Sequence, residues 1–115
     1  MTKRVLILDL QDDPEAIAAY RFWHRPGRPP DAVTRAIRAS GVTALDIWQV
    51  GDRLVMLMET APDFDPAASA ARDAENPEVQ AWETLMNRYQ RPLPFAAAGE
   101  KWVETERIFS LDDQQ

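Results

Sequence analysis

The alternation and clustering of apolar residues predict four strands. The run Val5-Leu6-Ile7-Leu8, extended by Leu10, is typical of a strand covered on at least one face. Segments 42–50 and 53–59 flank Gly51-Asp52, which predicts an antiparallel hairpin. A last strand is predicted over residues 102–109, ahead of a frayed tail at 112–115.

Helices are predicted where a short polar residue precedes a proline, because that residue can cap the first turn and proline tolerates the next position. Asp13-Pro14 begins the first helix, which the prolines at positions 26–30 end near His24. A second helix is predicted over residues 31–39. A third runs from about Pro66 to Ala74, and a fourth begins at Asn76-Pro77 and is ended by Pro92 and Pro94. The apolar stripe of the fourth helix is expected in the core: Val79, Trp82, Met86 and Tyr89.

The order strand, helices, strand, strand, helices, strand predicts an α+β protein with the ferredoxin-like split β-α-β arrangement. We expect a four-stranded antiparallel sheet with helices on one face, in one domain over residues 1–115. The other face of such a sheet is open. Because the chain is 45% apolar, we expect that face to be buried against a second copy in a two-fold homodimer.

Composition excludes several classes of chemistry. The chain has no cysteine and one histidine, which excludes thiol catalysis, thiolate metal sites and a multi-histidine metal site within one chain. Its net charge of −6, with dispersed basic residues, makes nucleic acid and anionic membranes poor partners. No glycine loop suited to phosphates is present. Without a long apolar run or a cleavable signal pattern, a cytoplasmic location is expected.

The one histidine lies on a helix face that also carries a tyrosine. Ile17, Tyr20 and His24 share that face at helical spacing, so a phenol and an imidazole lie one turn apart. Histidine can give and take a proton near neutrality. At the end of the helix the dipole is expected to favour its protonated form. The alternative is that His24 is a packing or capping residue without catalytic function.

Four tryptophans in a small domain suggest a ligand with flat apolar faces, such as a sugar ring. Exchange between sugar anomers needs only a proton delivered to the ring oxygen and one removed from the anomeric hydroxyl. One positioned acid or base, which typically contributes about 10²–10⁴-fold, is sufficient and requires no cofactor. Mutarotation is therefore permitted by these residues but is not specified by them.

The chain resembles the L-rhamnose mutarotase family over nearly its whole length. The resemblance implies a dimeric α/β-barrel fold and an isomerase that interconverts sugar anomers. It rests on these segments in this order: Tyr20-x-x-x-His24, Ser40-Gly41, Ile47-Trp48, the strand over 53–59, Gln80-x-Trp82 with Met86, and Ile108-Phe109-Ser110-Leu111.

The resemblance also implies site residues. His24 matches the proton donor, Tyr20 a residue that contacts the sugar, and Trp82 the first tryptophan of a pair that lines the pocket. The second tryptophan of that pair is Glu83 here, and a sugar-contacting tyrosine is replaced by Leu45.

These departures imply the same chemistry on a different 6-deoxy-L-sugar, with L-fucose favoured over L-rhamnose. A third departure, Gly27-Arg28-Pro29, replaces the segment Ile-Trp-Pro of the family. Glu83 or Asp46 is expected to bind sugar hydroxyls, although Glu83 can also be read as a solvated helix residue. Trp48 is interpreted as pocket wall or core.

Two other functions remain open from the sequence. The chain is either a protein of the same fold that binds a small molecule without catalysis, or a cofactor-independent monooxygenase or dehydratase of the dimeric α/β-barrel fold. Exchange between sugar anomers would separate both from a mutarotase.

Overall fold

The computed structural model describes residues 2–114 of the chain, and its helices begin where the sequence predicts. The elements are β1 (Thr2–Leu10), α1 (Pro14–Trp23), α2 (Asp31–Ala39), β2 (Val42–Val50), β3 (Arg53–Thr60), α3 (Pro66–Ala74), α4 (Pro77–Asn87), β4 (Gln90–Arg91), β5 (Val103–Glu104) and a 3-10 turn at Leu111–Asp113. The side chains of Asp13, Asp65 and Asn76 cap α1, α3 and α4 by accepting backbone N–H groups, and a proline follows each cap. None of the helices within residues 2–114 is long and apolar enough to cross a membrane.

The sheet has the ferredoxin-like strand order. Its order is β2-β3-β1-β4, with β5 also paired to β1, and every pairing is antiparallel. The central strand β1 therefore contacts β3 along one edge and the two short strands along the other. The α+β, ferredoxin-like fold class predicted from the sequence is confirmed.

Three details of the prediction are wrong. The last strand is short: Val103–Glu104 pairs with β1, and residues 106–109 are exposed. Between them, Thr105 donates its backbone N–H at 2.8 Å and its hydroxyl at 2.7 Å to the Val5 carbonyl. Within residues 2–114 the sheet has a fifth strand, β4, that the sequence did not predict. Helix α4 ends at Asn87, ahead of the prolines, because the chain turns there to pair with β1. Of the predicted frayed tail, Gln115 lies outside the described residues.

The core lies between the sheet and helices α1 and α4. Leu10 is 0% exposed and Leu54 is 1% exposed, and both pack with Tyr20 and Met86 in one buried cluster. Burial of this cluster fixes the rotation of both helices against the sheet, because each helix has one apolar stripe to cover. Tyr20 is thereby held on the sheet side of α1.

A buried carboxylate holds β4 in place. Asp9 is 2% exposed and accepts hydrogen bonds from Arg53 at 2.7 Å and from Arg91 at 3.5 Å, and Arg91 also donates to Asp52 at 2.7 Å. The hydrogen bond from Arg53 is the main reason why the pKa of Asp9 lies below its ordinary value. These contacts tie Arg91 to β1 and to the β2–β3 turn, and so fix the neighbouring Gln90.

Candidate active site

A cavity of about 550 Å³ lies between the sheet and the helices. Its volume is in the range usual for sites that bind small molecules. Its wall includes residues from α1, α2, β2, β3, α4 and β4. The lining includes most of the residues predicted for the site: Tyr20, His24, Leu45, Asp46, Trp82 and Glu83. The sequence prediction that a phenol and an imidazole meet at one hollow is confirmed.

His24 is held by its own helix. It is the C-cap of α1, and its Nδ1 lies 2.6 Å from the backbone carbonyl oxygen of Tyr20. A carbonyl oxygen only accepts hydrogen bonds, so Nδ1 carries a proton and donates it. Nε2 is therefore the nitrogen that gains or loses a proton when the imidazole titrates.

The imidazole contacts two aromatic rings. The Tyr20 ring stacks on it with centroids 4.1 Å apart and an interplanar angle of 29°, and Trp82 meets it edge-on at 5.4 Å. Tyr20 is 3% exposed, and this burial raises the pKa of its phenol to about 12. At neutral pH the phenol is thus a protonated, uncharged group that forms hydrogen bonds.

The net effect on the pKa of His24 is opposite to that of the helix end alone. The helix end was expected to favour the imidazolium, but burial lowers the pKa of His24 below its ordinary value of 6.5, against the opposing effect of the hydrogen bond to Tyr20. Desolvation disfavours the charged ring more than the carbonyl stabilises it. At neutral pH the side chain is a neutral imidazole whose Nε2 accepts a proton.

Glu83 reaches the cavity as half of an ion pair. Lys101 donates to its carboxylate at 3.3 Å, and both residues line the cavity. Neither reading of Glu83 from the sequence included this partner. Leu45 forms apolar wall, whereas Asp46 is exposed and pairs with Leu57 across the β2–β3 register. By strand alternation, the side chain of Asp46 therefore shares the face opposite that of Leu45.

The structure corrects the placement of Trp48. Its side chain is 64% exposed, and it is neither in the core nor among the residues that line the cavity. It pairs with Val55 and, by alternation, lies on the sheet face that the helices leave open. The sequence showed a tryptophan on a strand, but it did not show which face of that strand the helices cover.

The residues that line the cavity and were not predicted as site residues include Gln90, Lys101 and Trp102. Gln90 is on the strand that the sequence did not predict, and the other two were taken as the approach to and start of the last strand. At Lys101, the sequence feature that could have indicated a site residue was its position next to a tryptophan. Nothing in the local pattern distinguished Gln90 from the loop residues that follow it.

The fold is that of the dimeric α/β-barrel proteins, as solved structures show. A crystal structure of L-rhamnose mutarotase from Formosa agariphila matches with a TM-score of 0.67 at 16% identity, and covers 96% of this chain and 99% of that one. Tetracenomycin F2 cyclase from Streptomyces glaucescens, a type II polyketide cyclase, matches with a TM-score of 0.61 at 19% identity over 96% of each chain. Since two proteins of different activity share this architecture, these matches define the fold alone.

Sequence comparison identifies the protein family to which the chain belongs. The family model for L-rhamnose mutarotase matches residues 3–111. The L-fucose mutarotase of Xanthomonas campestris pv. campestris is 50% identical over 113 residues, covering 98% of this chain and 90% of the relative. The chain belongs to the L-rhamnose mutarotase family, and it is an isomerase that acts on sugars, as the sequence resemblance implied.

Proposed function

We propose that this protein interconverts the α and β anomers of L-fucose, with L-rhamnose as a poorer substrate, and that Nε2 of His24 transfers the proton. The observation that carries the proposal is the hydrogen bond from Nδ1 of His24 to the Tyr20 carbonyl, which fixes the tautomer of an imidazole that lines the cavity. A neutral imidazole with a free Nε2 lone pair is a general base suited to neutral pH.

The reaction needs one proton to move between two oxygens on the same carbon. Nε2 accepts the proton of the anomeric hydroxyl, the bond from C1 to the ring oxygen breaks, and C1 becomes an aldehyde. The imidazolium returns the proton to the former ring oxygen. Rotation about the C1–C2 bond exposes the other aldehyde face, and the steps run in reverse to give the second anomer. The Tyr20 phenol stays protonated throughout because its pKa of about 12 is far above neutrality.

The choice of sugar rests on the 50% identical relative, an L-fucose mutarotase, and on the polar groups that this chain places in the cavity. The Glu83–Lys101 pair and Gln90 offer donors and acceptors to hydroxyls. Trp82 offers a flat apolar surface to the C–H face of a pyranose.

Saturation-transfer NMR on the anomeric protons tests the proposal directly. With catalytic amounts of protein, we expect exchange between the two anomers to be faster with L-fucose than with L-rhamnose, and D-glucose to exchange no faster than in buffer. Equal rates with and without protein for both 6-deoxy-L-sugars would reject the proposed function. Faster exchange with L-rhamnose would reject only the choice of sugar.

We also propose that the protein is a homodimer joined through the open sheet face. Because side chains alternate along a strand, Val5 and Ile7 of β1 point to the face that does not hold the core. Their partners on β3 lie on the same face, where Val5 pairs with Leu57 and Ile7 pairs with Val55. Trp48, on the same face, is 64% exposed in the single chain. Apolar side chains on three strands of this face are suited to the same surface of a second copy.

Two further expectations from the sequence stay predictions. They are the organisation of residues 1–115 as one domain and the cytoplasmic location.

A further inference from the structure

An ion pair in the cavity wall keeps hydrogen-bonding capacity that the protein does not use. Nζ of Lys101 donates to Oε2 of Glu83 at 3.3 Å, and both residues line the cavity. Their side chains are 34% and 46% exposed, so a ligand can reach both. An ammonium has three donors and a carboxylate accepts on two oxygens, and within residues 2–114 neither group has a second hydrogen-bond partner. The pair can therefore donate one hydrogen bond to a ligand and accept another.

The partner of Lys101 determines which cavity its ammonium faces. Lys101 also lines a second cavity, of about 480 Å³, whereas Glu83 lines the larger cavity and not the second. Because Nζ lies 3.3 Å from the Glu83 carboxylate, the charged end of Lys101 is held on the side of the larger cavity. That cavity is also the one that His24 lines.

Both members of the pair are attached to parts of the chain that the core fixes. Glu83 lies on α4 directly after Trp82, which packs against the buried cluster. Lys101 directly precedes Trp102, which packs against the same cluster, and Val103 then pairs with β1. An exposed ion pair contributes little to stability by itself. Its fixed position in the wall of the cavity is better suited to binding a ligand.

The pair lies apart from the group that transfers the proton. The aromatic rings that contact His24 belong to Tyr20 and Trp82. In the described part of the chain, neither Glu83 nor Lys101 forms a hydrogen bond with His24. In the proposed function His24 works at C1, so the hydroxyl on C2 is next to the reaction, and C6 is a methyl group. The hydroxyls left for the ion pair are those on C3 and C4.

We infer that Lys101 and Glu83 bind the hydroxyls on C3 and C4 of the sugar, and that Lys101 is a specificity-determining residue for L-fucose. This inference rests on the proposed function. In L-fucose the hydroxyl on C4 is axial and cis to the one on C3, whereas in L-rhamnose it is equatorial and trans. Two groups held in fixed positions can form both hydrogen bonds with only one of these arrangements.

The test compares L-fucose with 6-deoxy-L-glucose, which differs from it only at C4, in the wild-type protein and in Lys101→Met. Methionine keeps the approximate length of the side chain but has no donor. The wild type is expected to have about a 10-fold higher kcat/KM for L-fucose, the lower end for a hydrogen bond to a charged group, because the pair is partly exposed.

In Lys101→Met we expect this preference to shrink to nearly none. The change should come from a higher KM for L-fucose with little change in kcat, because a contact remote from C1 is the same before and during the reaction. An equal preference in both proteins would overturn the inference.

Two further variants distinguish sugar binding from a structural role. Glu83→Met removes the acceptor of the same pair and is expected to lose the same preference. Arg88→Met removes a cation from the exposed end of α4 that lines neither cavity, and is expected to behave as the wild type. If Lys101→Met and Glu83→Met lowered the melting temperature but kept the preference for L-fucose, the pair would be structural and the inference would be wrong.

Direct binding separates this inference from the proposed function. The dissociation constants of the two sugars, measured by isothermal titration calorimetry, do not depend on turnover. Tighter binding of L-fucose by the wild type and equal binding of both sugars by Lys101→Met would support the inference even in a protein that exchanges no anomers. Absence of exchange with any sugar would reject the proposed function, whereas equal binding of the two sugars by the wild type, or binding of neither, would overturn the inference.

Discussion

Replacing His24 with alanine is expected to reduce the catalysed exchange of L-fucose anomers by about 10²–10⁴-fold, the usual contribution of a positioned acid–base group. The cause is the loss of Nε2, the only imidazole nitrogen in the chain that is free to take the anomeric proton. The rate is measured by saturation transfer at pH 7, and circular dichroism verifies the fold.

Two matched variants distinguish the loss of the proton-transferring group from a change in the local structure. His24→Gln keeps a donor near the Tyr20 carbonyl but cannot exchange a proton, so it should be as slow as His24→Ala. Arg25→Ala changes the adjacent residue, which does not line the cavity, and should exchange at the wild-type rate. If His24→Gln retained wild-type exchange, the imidazole would have no part in the reaction.

Replacing Trp48 with aspartate is expected to convert the dimer into a monomer. Tryptophan is the residue type that most often dominates an interface, and the two-fold axis places two new carboxylates in one apolar contact. An unpaired buried charge costs about 3–5 kcal/mol, which corresponds to at least about 10²-fold in the dissociation constant. Because Trp48 is 64% exposed in the single chain, the monomer should stay folded.

Analytical ultracentrifugation measures this change, and Phe95→Asp provides its control. Phe95 is 71% exposed in the segment between β4 and β5 and is not part of the open sheet face, so its variant should remain dimeric. A wild-type protein that sediments as a monomer, or a Trp48→Asp variant that remains a dimer, would contradict the proposed interface.

The fold was predictable where local chemistry and periodicity agree. Asn76-Pro77 and Asp65-Pro66 specify helix starts by themselves, since a capping side chain and a proline act within one turn. The short strands were not predictable in this way. Gln90–Arg91 forms a strand because β1 has a free edge there and Arg91 pairs with Asp9, and both causes are distant in sequence.

The part of the site that lies on a single helix was predictable. Tyr20 and His24 share a face through helical geometry alone, and their stacking at 4.1 Å follows from it. The protonation of His24 was not predictable, because it depends on how deeply tertiary packing buries the ring. Gln90, Lys101 and Trp102 enter the cavity from a part of the chain that only the completed sheet brings there.

The central claim is that the protonation of one imidazole controls the reaction, and the pH profile of exchange tests it. Because His24 is the only histidine, its ring protons can be assigned in the NMR spectrum without variants. Burial lowers the pKa of His24, so its titration midpoint should lie below 6.5. Exchange of L-fucose should be constant above that midpoint and fall as the pH decreases through it, because the imidazolium cannot accept the anomeric proton. An exchange rate that is unchanged while the His24 signals titrate would contradict the account.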